Sequence, residues 1–465
     1  RDLNLSYFLC ILYLDNLLNM KERKNSFKKF KESYNDFVPI SEFNGLYPGS
    51  GKGKTAVIIC FTKYISLSSK LISTKTYEAL KNFLLDVYQY DKVDFSSTFQ
   101  YRTNTDYEFF KGCMVPSMTP HCLDGYDDIF HVQATMNMFL GYIYDDYFYN
   151  VLRINEWYEK HDDGHYFVIQ DDPAISYIDP FPVLNRRTFE YKTLGHEVPE
   201  DVFQEYVKVW PNVQKCIHNC VVAHCGTSYP TFLSKLSPKN AMTPKFVSKW
   251  CQFPLFTYQA MTDNISNKLK NYDYKSKKYD AEYHGYNRGA KRMELIENFY
   301  AVLPNKSLVI TSSRNLFPHH DKFDRVQSLF YDDLIPYIGQ NAKSTFVIAD
   351  EVTFNDFISP RFFDAMLSDV IAFVYEPYDK DHKYIDDDEL KEFMYVSTPE
   401  DFANKVTKIS NDEKLYKHIK FLQRKAVYTK YKKYCNQYTL KIFEDWIKDP
   451  EEISKPSFGT TTALF

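Results

Sequence analysis

Two arginines and two glycines lie close together in the stretch HGYNRGAKRMELIENF, residues 284–299. Arg288 and Arg292 are four residues apart, so a helix beginning here would place both guanidinium groups on one face. Gly285 and Gly289 allow the backbone to approach a ligand closely. A loop that leads into a helix N-terminus, with free N–H groups and two forked guanidinium groups, suits a diphosphate.

Solvent-exposed helix charge is the alternative interpretation of this arginine pair. The chain has only 12 Arg among its 57 Lys and Arg residues, so exposed basic positions are mostly Lys. Arginine differs from lysine in offering a rigid fork of donors that matches phosphate. The use of Arg twice within five residues therefore favours a phosphate ligand over a solvated helix face.

A second candidate lies in NDFISPRFFDAMLSDVIAFVYEPYDKDHKYI, residues 355–385, which has the pattern of a loop, a helix, a buried strand and an acidic loop. Arg361 and Asp364 have i,i+3 spacing in the first turns of that helix, so one ligand at the helix N-terminus could contact both. The Asp364 carboxylate could accept hydrogen bonds from the two hydroxyl groups of a ribose, and the Arg361 guanidinium could bind phosphate. Helix capping and a local ion pair are the alternative explanation.

The third candidate is YFVIQDDP, residues 166–173, in which an apolar strand ends in Asp171 and Asp172. Open α/β sheets bind ligands at the carboxyl ends of their strands. A carboxylate at that edge can serve as a general base. A turn or helix N-cap aspartate is the alternative for either residue taken alone.

Two further patterns are interpreted as structural. PGSGKGKT at 48–55 resembles a phosphate-binding loop, but its glycines precede an apolar, β-prone run, whereas such a loop follows a strand and opens a helix. CIHNCVVAHC at 216–225 lacks the paired spacings that are typical of zinc sites, which favours cysteines buried on a core strand.

Alternating apolar runs and helical patterns place these candidates in an α/β fold with doubly wound parallel sheets. The predicted strands and helices form two α/β halves, and the polar segment Lys268–Lys278 between them is interpreted as a linker or loop. The final stretch, Asp412 to Lys448, has a helical pattern. The predicted strands are 55–61, 129–134, 166–170, 220–224, 307–311, 344–349 and 370–375, and the main helices of the second half are 290–300, 359–368 and 399–408.

From about residue 126 to 430 the chain resembles the T-even phage DNA β-glucosyltransferases, a family of two-domain glycosyltransferases with the GT-B fold. The resemblance rests on the order and spacing of several motifs rather than on one of them. These motifs are YDDIFHVQA at 126–134, FVIQDDP at 167–173, QFPL at 252–255, HGYNRGAKR at 284–292 and the segment 355–385.

The resemblance implies two Rossmann-like doubly wound domains that face a central cleft, with a C-terminal helix crossing back. We expect an N-terminal basic leader at 1–44 and an acceptor (DNA) domain at 45–255. A UDP-sugar-binding domain at 256–425 would follow, and a helix at 426–465 would pack on the first domain.

Individual roles follow from the resemblance for residues that match its motifs. Arg288 and Arg292 match the diphosphate arginines, and Gly285 matches a backbone contact to the same group. Arg361 matches a further phosphate or ribose contact. Asp364 takes the position of a ribose-binding glutamate, with a side chain one methylene shorter.

The implied activity is inverting transfer of a sugar from a UDP-sugar to the hydroxymethyl group of a modified DNA base. Asp171 corresponds to the catalytic base, UDP-glucose is the expected donor and 5-hydroxymethylcytosine the expected base, flipped out of the duplex. Another UDP-sugar such as UDP-arabinose, 5-hydroxymethyluracil DNA, or a non-catalytic DNA- or nucleotide-binding relative are the alternatives. The resemblance implies no metal-binding residues in the protein and leaves open whether Mg²⁺ assists the departure of UDP.

Composition limits the partners and the compartment. A net charge of −4 excludes a globally basic nucleic-acid binder, so a DNA-facing surface must be local, with Lys268–Lys278 and Lys417–Lys433 as candidates. Solvated helix faces are the alternative for both runs. Nine cysteines, an odd number without obvious pairing, predict a reduced, cytoplasmic protein. The apolar start, Ser6–Leu18, is too short to span a bilayer, so no membrane partner is expected. The protein is expected to be a monomer.

Overall fold

The structure is a computed structural model. It describes residues 41–43, 45–60, 78–97, 123–132, 155–170, 215, 219–224, 249–285, 290–311, 320–329, 331–348 and 359–448. All statements below concern these residues.

The first domain is built on a sheet of seven strands, in which all neighbouring strands are parallel. The order is β1-β7-β6-β5-β4-β2-β3, so the strand order reverses between β2 and β4. The strands are β1 (Ser41–Glu42), β2 (Thr55–Cys60), β3 (Lys92–Ser97), β4 (Asp128–Val132), β5 (His165–Gln170), β6 (Val221–His224) and β7 (Lys249–Gln252).

Aromatic side chains fill the core of this domain. The rings of Phe130 on β4 and Phe167 on β5 stack with centroids 4.7 Å apart. Phe83 belongs to helix α1, residues 78–83, which continues as a π-helical turn over Leu84–Tyr88. Its ring packs edge-on against Phe253, 5.4 Å away. A further helix, α2, covers residues 155–160.

The second sheet has six parallel strands in the order β10-β9-β8-β11-β12-β13. Counted from β8 along the chain this is the order 3-2-1-4-5-6 of a doubly wound dinucleotide-binding domain. The ligand crevice of such a sheet lies where the order reverses, here between β8 and β11. The strands are β8 (Tyr279–His284), β9 (Ser307–Ile310), β10 (Phe323–Val326), β11 (Ala342–Val347), β12 (Ile371–Tyr375) and β13 (Tyr395–Val396).

Helices cover this second sheet. Helices α5 and α9 pack together and α9 contacts β8 and β11, whereas α7 contacts β11, β12, α3 and α10. The helices are α3 (Leu255–Thr262), α4 (Ile265–Lys268), α5 (Ala290–Ala301), α6 (Tyr331–Asn341), α7 (Pro360–Leu367), α8 (Asp388–Met394), α9 (Pro399–Asn411), α10 (Glu413–Tyr431) and α11 (Gln437–Lys448). The helices predicted at 290–300, 359–368 and 399–408 are therefore confirmed.

Side chains near the end of α10 connect the two cores. The ring of Tyr434 lies 6.5 Å from that of Phe83 in the first domain. The Cys435 thiol lies 3.9 Å from the sulfur of Met261 on α3, and the Tyr258 hydroxyl of α3 donates to Asp86 at 3.1 Å. Tyr434 and helix α3 thus join the two cores, whereas Phe443 of α11 is buried in the core of the second domain. The packing of 426–465 on the first domain stays a prediction.

The glycine-rich segment at 48–55 is a turn at the amino end of β2. Gly49 and Gly53 adopt positive φ angles of 87° and 76°. The Gly53 N–H donates to Asp91, and the Thr55 N–H donates to Asp127 at 2.6 Å. The turn precedes its strand and its backbone donors are used within the domain, as expected of a structural segment.

Strand β8 was not predicted from the sequence, which indicated a linker or loop at Lys268–Lys278 and assigned no element to residues 279–283. Its sequence YDAEYH alternates polar and aromatic or small residues. The polar members have partners: Asp280 forms an ion pair with Lys343 of β11 at 3.0 Å, and Glu282 pairs with His284. Paired carboxylates allow a strand with this composition to be buried.

Candidate functional site

The crevice between β8 and β11 begins at a glycine with a positive φ angle. Gly285 directly follows His284, the last residue of β8, and has a φ of 140°, a backbone conformation that residues other than glycine rarely adopt. Its N–H donates to the carbonyl of Ile310 at the end of β9, 3.1 Å away. The backbone therefore turns sharply at the carboxyl edge of the sheet, where the sequence predicted a close approach to a ligand.

The Arg361 guanidinium occupies the space beside this glycine. A Cβ atom on Gly285 would lie 2.2 Å from Nη2 of Arg361 and 2.9 Å from its Cζ. The same guanidinium donates from Nη1 to the carbonyl of Ile348, just beyond β11, at 3.4 Å. Among the described residues no carboxylate forms an ion pair with Arg361. Its charge thus spans the crevice from the end of β8 to the end of β11.

Helix α7 holds Arg361 at its first turn. Pro360 begins the helix, and Ser359 caps it by accepting a hydrogen bond from the Arg361 N–H at 3.2 Å. A proline at the first position and a serine cap are strong helix-start signals, which explains why sequence reasoning found this helix.

Tyr283 of β8 contacts both Arg292 and Arg361. Nη2 of Arg292, in the first turn of α5, donates to the Tyr283 hydroxyl at 2.7 Å. The Arg361 guanidinium lies over the Tyr283 ring, 5.6 Å from its centroid. The hydrogen bond and the cation–π contact hold the guanidinium groups of Arg292 and Arg361, which belong to different helices, against the same tyrosine.

A second tyrosine, Tyr378, supports the same cluster. Its hydroxyl is buried and accepts a hydrogen bond from the Ser359 N–H at 2.8 Å. Burial raises the pKa of Tyr378 above its ordinary value, although the nearby positive charges of Arg361 and Arg292 act in the opposite direction. The hydroxyl is therefore neutral, and it orders the start of α7 beside the two arginines.

This arrangement is suited to a polyanion. Two guanidinium groups converge beside a glycine at the reversal point of a doubly wound sheet, and the N-termini of α5 and α7 add partial positive charge. Forked guanidinium groups bind phosphate oxygens in pairs. Gly285, Arg292 and Arg361, all predicted from the sequence, are brought together.

Asp364 has a different neighbour from the one that i,i+3 spacing suggested. Its carboxylate forms an ion pair with Lys268 of α4 at 3.0 Å, and both side chains are buried. The Lys268 ammonium also donates to the carbonyl of Ala260. The assignment of Asp364 to a ribose contact stays a prediction.

Two predicted site residues lie outside the described part of the chain. Asp171 follows β5, which ends at Gln170, and β5 neighbours β4 beside the order reversal of the first sheet. Arg288 lies between Gly285 and the start of α5. Their roles stay predictions.

The two interpretations of Lys268–Lys278, a DNA-facing surface or a solvated helix face, are both wrong for two of its lysines. Lys268 and Lys277 are buried, the first paired with Asp364 and the second with Asp369 at 3.2 Å. Their long aliphatic stems allow the ammonium groups to reach carboxylates inside the domain.

The second basic run, Lys417–Lys433, also contributes buried cations. Lys420 and Arg424 of α10 are buried beside Asp369, and Arg424 donates to the carbonyl of Leu367 at 3.0 Å. Burial lowers the pKa of Lys420 to about 8 and that of Arg424 to about 10. Burial alone would raise the pKa of Asp369, but the charges of Lys420, Lys277 and Arg424 hold it below its usual value.

Neither a metal cluster nor a membrane span is found in the described ranges. No group of three or more His, Cys, Asp or Glu side chains there could hold a metal ion. No helix there is long and apolar enough to cross a membrane.

Comparison with solved structures bears on the fold. The structure is similar to the T4 phage β-glucosyltransferase in complex with its UDP-glucose substrate, with a TM-score of 0.55 and 15% sequence identity over 85% of this chain and 100% of that chain. The same enzyme in complex with UDP and Mn²⁺ gives a TM-score of 0.53 at 16% identity and the same coverage. The chain has the GT-B fold. The predicted fold, with two Rossmann-like domains, is therefore confirmed.

A second kind of GT-B enzyme is also similar. An α-glucosyltransferase in complex with UDP-glucose and DNA containing an abasic site has a TM-score of 0.50 and 8% identity, over 85% of this chain and 100% of that chain. No protein-family model and no curated protein sequence matches this chain.

Sequence reasoning missed three residues of β8 at this site: Glu282, Tyr283 and His284. Glu282 and Tyr283 lie directly before HGYNRGAKR, the motif that drew attention, and His284 is its first residue, to which no role was assigned. The period-two alternation of YDAEYH was the signal that could have found the strand.

Proposed function

We propose that this chain is a UDP-sugar-dependent glycosyltransferase that modifies DNA. The observation that carries the proposal is the convergence of Gly285, Arg292 and Arg361 at the order reversal of the second sheet. In the GT-B fold this crevice is open to a nucleotide at the carboxyl ends of the strands. Similarity to the T4 phage β-glucosyltransferase and to the DNA-bound α-glucosyltransferase supports UDP-glucose as the donor and DNA as the acceptor.

The two arginines act on the leaving group. Negative charge accumulates on the β-phosphate as the bond from the anomeric carbon to the phosphate oxygen breaks. Guanidinium groups already oriented by Tyr283 and by the cap of α7 stabilise that charge without reorganisation. The predicted Arg288 would add a third cation to the same group.

The acceptor step uses the predicted base Asp171. Its carboxylate takes the proton of a base hydroxymethyl group while that oxygen forms a bond to the anomeric carbon and UDP departs. Attack opposite the leaving group inverts the anomeric configuration. 5-Hydroxymethylcytosine is the proposed base, and it must leave the duplex to reach the cleft.

No step is assigned to Mg²⁺. A divalent cation such as Mg²⁺ would supply further positive charge at the same diphosphate, and the complex of the similar T4 phage enzyme with UDP and Mn²⁺ supports including it in the assays.

A donor-binding experiment tests the first half of the proposal. Arg292→Ala should weaken UDP binding about 10- to 100-fold, since it removes a charge-assisted hydrogen bond worth about 1.5–3 kcal/mol. Arg325→Ala, at an exposed position on the edge strand β10, is the matched control and should leave the affinity unchanged. Equal affinities in both variants would count against the donor site.

A transfer experiment tests the second half. Duplexes containing 5-hydroxymethylcytosine or 5-hydroxymethyluracil are incubated with UDP-glucose, UDP-arabinose and other UDP-sugars, and the nucleosides are weighed by mass spectrometry. We expect a hexose adduct on 5-hydroxymethylcytosine, with Asp171→Asn abolishing transfer and retaining UDP binding. Adducts with another sugar or base would select that alternative, and UDP binding without any adduct would indicate a non-catalytic relative.

A further inference from the structure

A buried acid–base pair lies at the carboxyl end of β8, next to the diphosphate site. Nδ1 of His284 is 3.0 Å from Oε1 and 3.3 Å from Oε2 of Glu282. Glu282 is 0% exposed and His284 is 8% exposed. The pair contributes nothing to the roles assigned above, so its position needs an explanation.

A buried carboxylate is costly unless it is paired. If Glu282 only filled space in the core, an apolar residue could replace it without loss of folding stability. A well-packed hydrophobic side chain is often at least as stabilising as a buried ion pair. The hydroxyl of Tyr300 donates to the backbone carbonyl of Glu282, and His284 contacts the carboxylate itself. The carboxylate therefore orients the imidazole.

The position of His284 in the fold places its imidazole ring beside the proposed diphosphate site. His284 is the last residue of β8 and immediately precedes Gly285, whose turn faces the crevice. In register, it lies opposite Ile310, where β9 ends. One ring nitrogen is held by Glu282, and the hydrogen bond made by one nitrogen sets the role of the other.

We propose that His284 is a further diphosphate-binding residue and that Glu282 is its positioning residue. The inference rests on the proposed function. With a diphosphate in the crevice, the imidazolium lies between two anions and donates from Nδ1 to Glu282 and from Nε2 to a phosphate oxygen. It adds a cation on β8 to those of Arg292 on α5 and Arg361 on α7.

The test compares equilibrium binding of UDP and of uridine, which lacks the phosphates. Glu282→Gln/His284→Phe removes both ring donors without leaving a buried carboxylate unpaired. We expect UDP affinity to fall about 10- to 100-fold, the effect of one charge-assisted hydrogen bond, and uridine affinity to stay within twofold. Glu282→Gln alone should weaken UDP binding about three- to tenfold, again without changing uridine binding.

A matched control and the uridine measurement separate binding from folding. His418 and Glu389 form a similar pair at 2.8 Å, but both are exposed and lie on α10 and α8. His418→Gln should change neither affinity. A purely structural role for Glu282 would reduce UDP and uridine binding together and would overturn the inference.

The outcomes distinguish the two proposals. If the wild-type protein binds UDP, Arg292→Ala weakens that binding and the double variant does not, the inference about His284 is overturned and the proposed function stands. If the wild-type protein binds no UDP, both are overturned.

Discussion

Gly285→Ala is the substitution whose effect is defined most sharply by the structure. The backbone there has a φ of 140°, and the new methyl group would lie 2.2 Å from Nη2 of Arg361. Two consequences follow from one added carbon. The backbone is strained, and the guanidinium is pushed away from the end of β8.

The two consequences have different magnitudes and different readouts. A non-glycine residue in a sparsely populated backbone region costs about 1–3 kcal/mol of folding stability. The collision itself costs little folding energy because it involves the far end of a flexible side chain. However, displacing Arg361 removes a charge-assisted hydrogen bond of about 1.5–3 kcal/mol from the ligand, so UDP affinity should fall about 10- to 100-fold.

The assay measures UDP affinity and the urea midpoint for four proteins: wild type, Gly285→Ala, Arg361→Ala and the double variant. Gly53→Ala is the matched control, since its φ is also positive and no atom lies within 4 Å of the new Cβ. It should lose stability and keep its UDP affinity. In the Arg361→Ala background, Gly285→Ala should weaken UDP binding by less than threefold, because the displaced group is already absent.

The reasoning is refuted by either of two results. Gly285→Ala could bind UDP as tightly as the wild type, which would mean that Arg361 does not contact the diphosphate from its observed position. Alternatively, the effects of the two substitutions could be fully additive, which would mean that the methyl group acts through something other than Arg361.

Three further predictions concern residues around the site and beneath it. Tyr283→Phe removes the acceptor of the Arg292 hydrogen bond, so UDP affinity should fall about three- to tenfold while Arg361 still has a ring to stack on. Ser359→Ala removes the cap of α7 and should lower the free energy of unfolding by about 1 kcal/mol in urea denaturation. Asp369→Asn leaves buried cations without their carboxylate and should cost about 3–5 kcal/mol at pH 7. Because the folded-state pKa of Asp369 lies below its usual value, its stabilisation is present above about pH 4 and is lost as the pH falls, so the difference between wild type and Asp369→Asn should shrink below that pH.

Each of these has a result that would contradict it. Unchanged UDP affinity in Tyr283→Phe would show that Arg292 is held by other contacts. An unchanged urea midpoint in Ser359→Ala would show that the cap is dispensable. A stability difference for Asp369→Asn that is the same at pH 7 and pH 3 would show that the ionised carboxylate is not the stabilising species.

Much of the fold follows from local sequence patterns. The continuous apolar run at 55–61 and the run at 370–375 predicted buried parallel strands, and Pro360 with Ser359 predicted the start of α7. These signals are local because strand burial and helix capping depend on neighbouring residues. Strand β8 escaped prediction because its acidic residues are stabilised by partners that lie elsewhere in the fold or two positions along the strand.

The sequence by itself determined the residue types available for binding an anion: a glycine, a pair of closely spaced arginines and an arginine at the start of a capped helix. It could not determine which basic residues face a ligand. Lys268 and Lys277, predicted to be solvated, are buried because α4 packs against α7, which brings Asp364 within reach of Lys268, and because Asp369, just beyond α7, lies within reach of Lys277. Only the order of the parallel strands decided that Gly285 and Arg361 meet, since strands distant in the chain become neighbours at a sheet edge through long-range pairing and not through local preference.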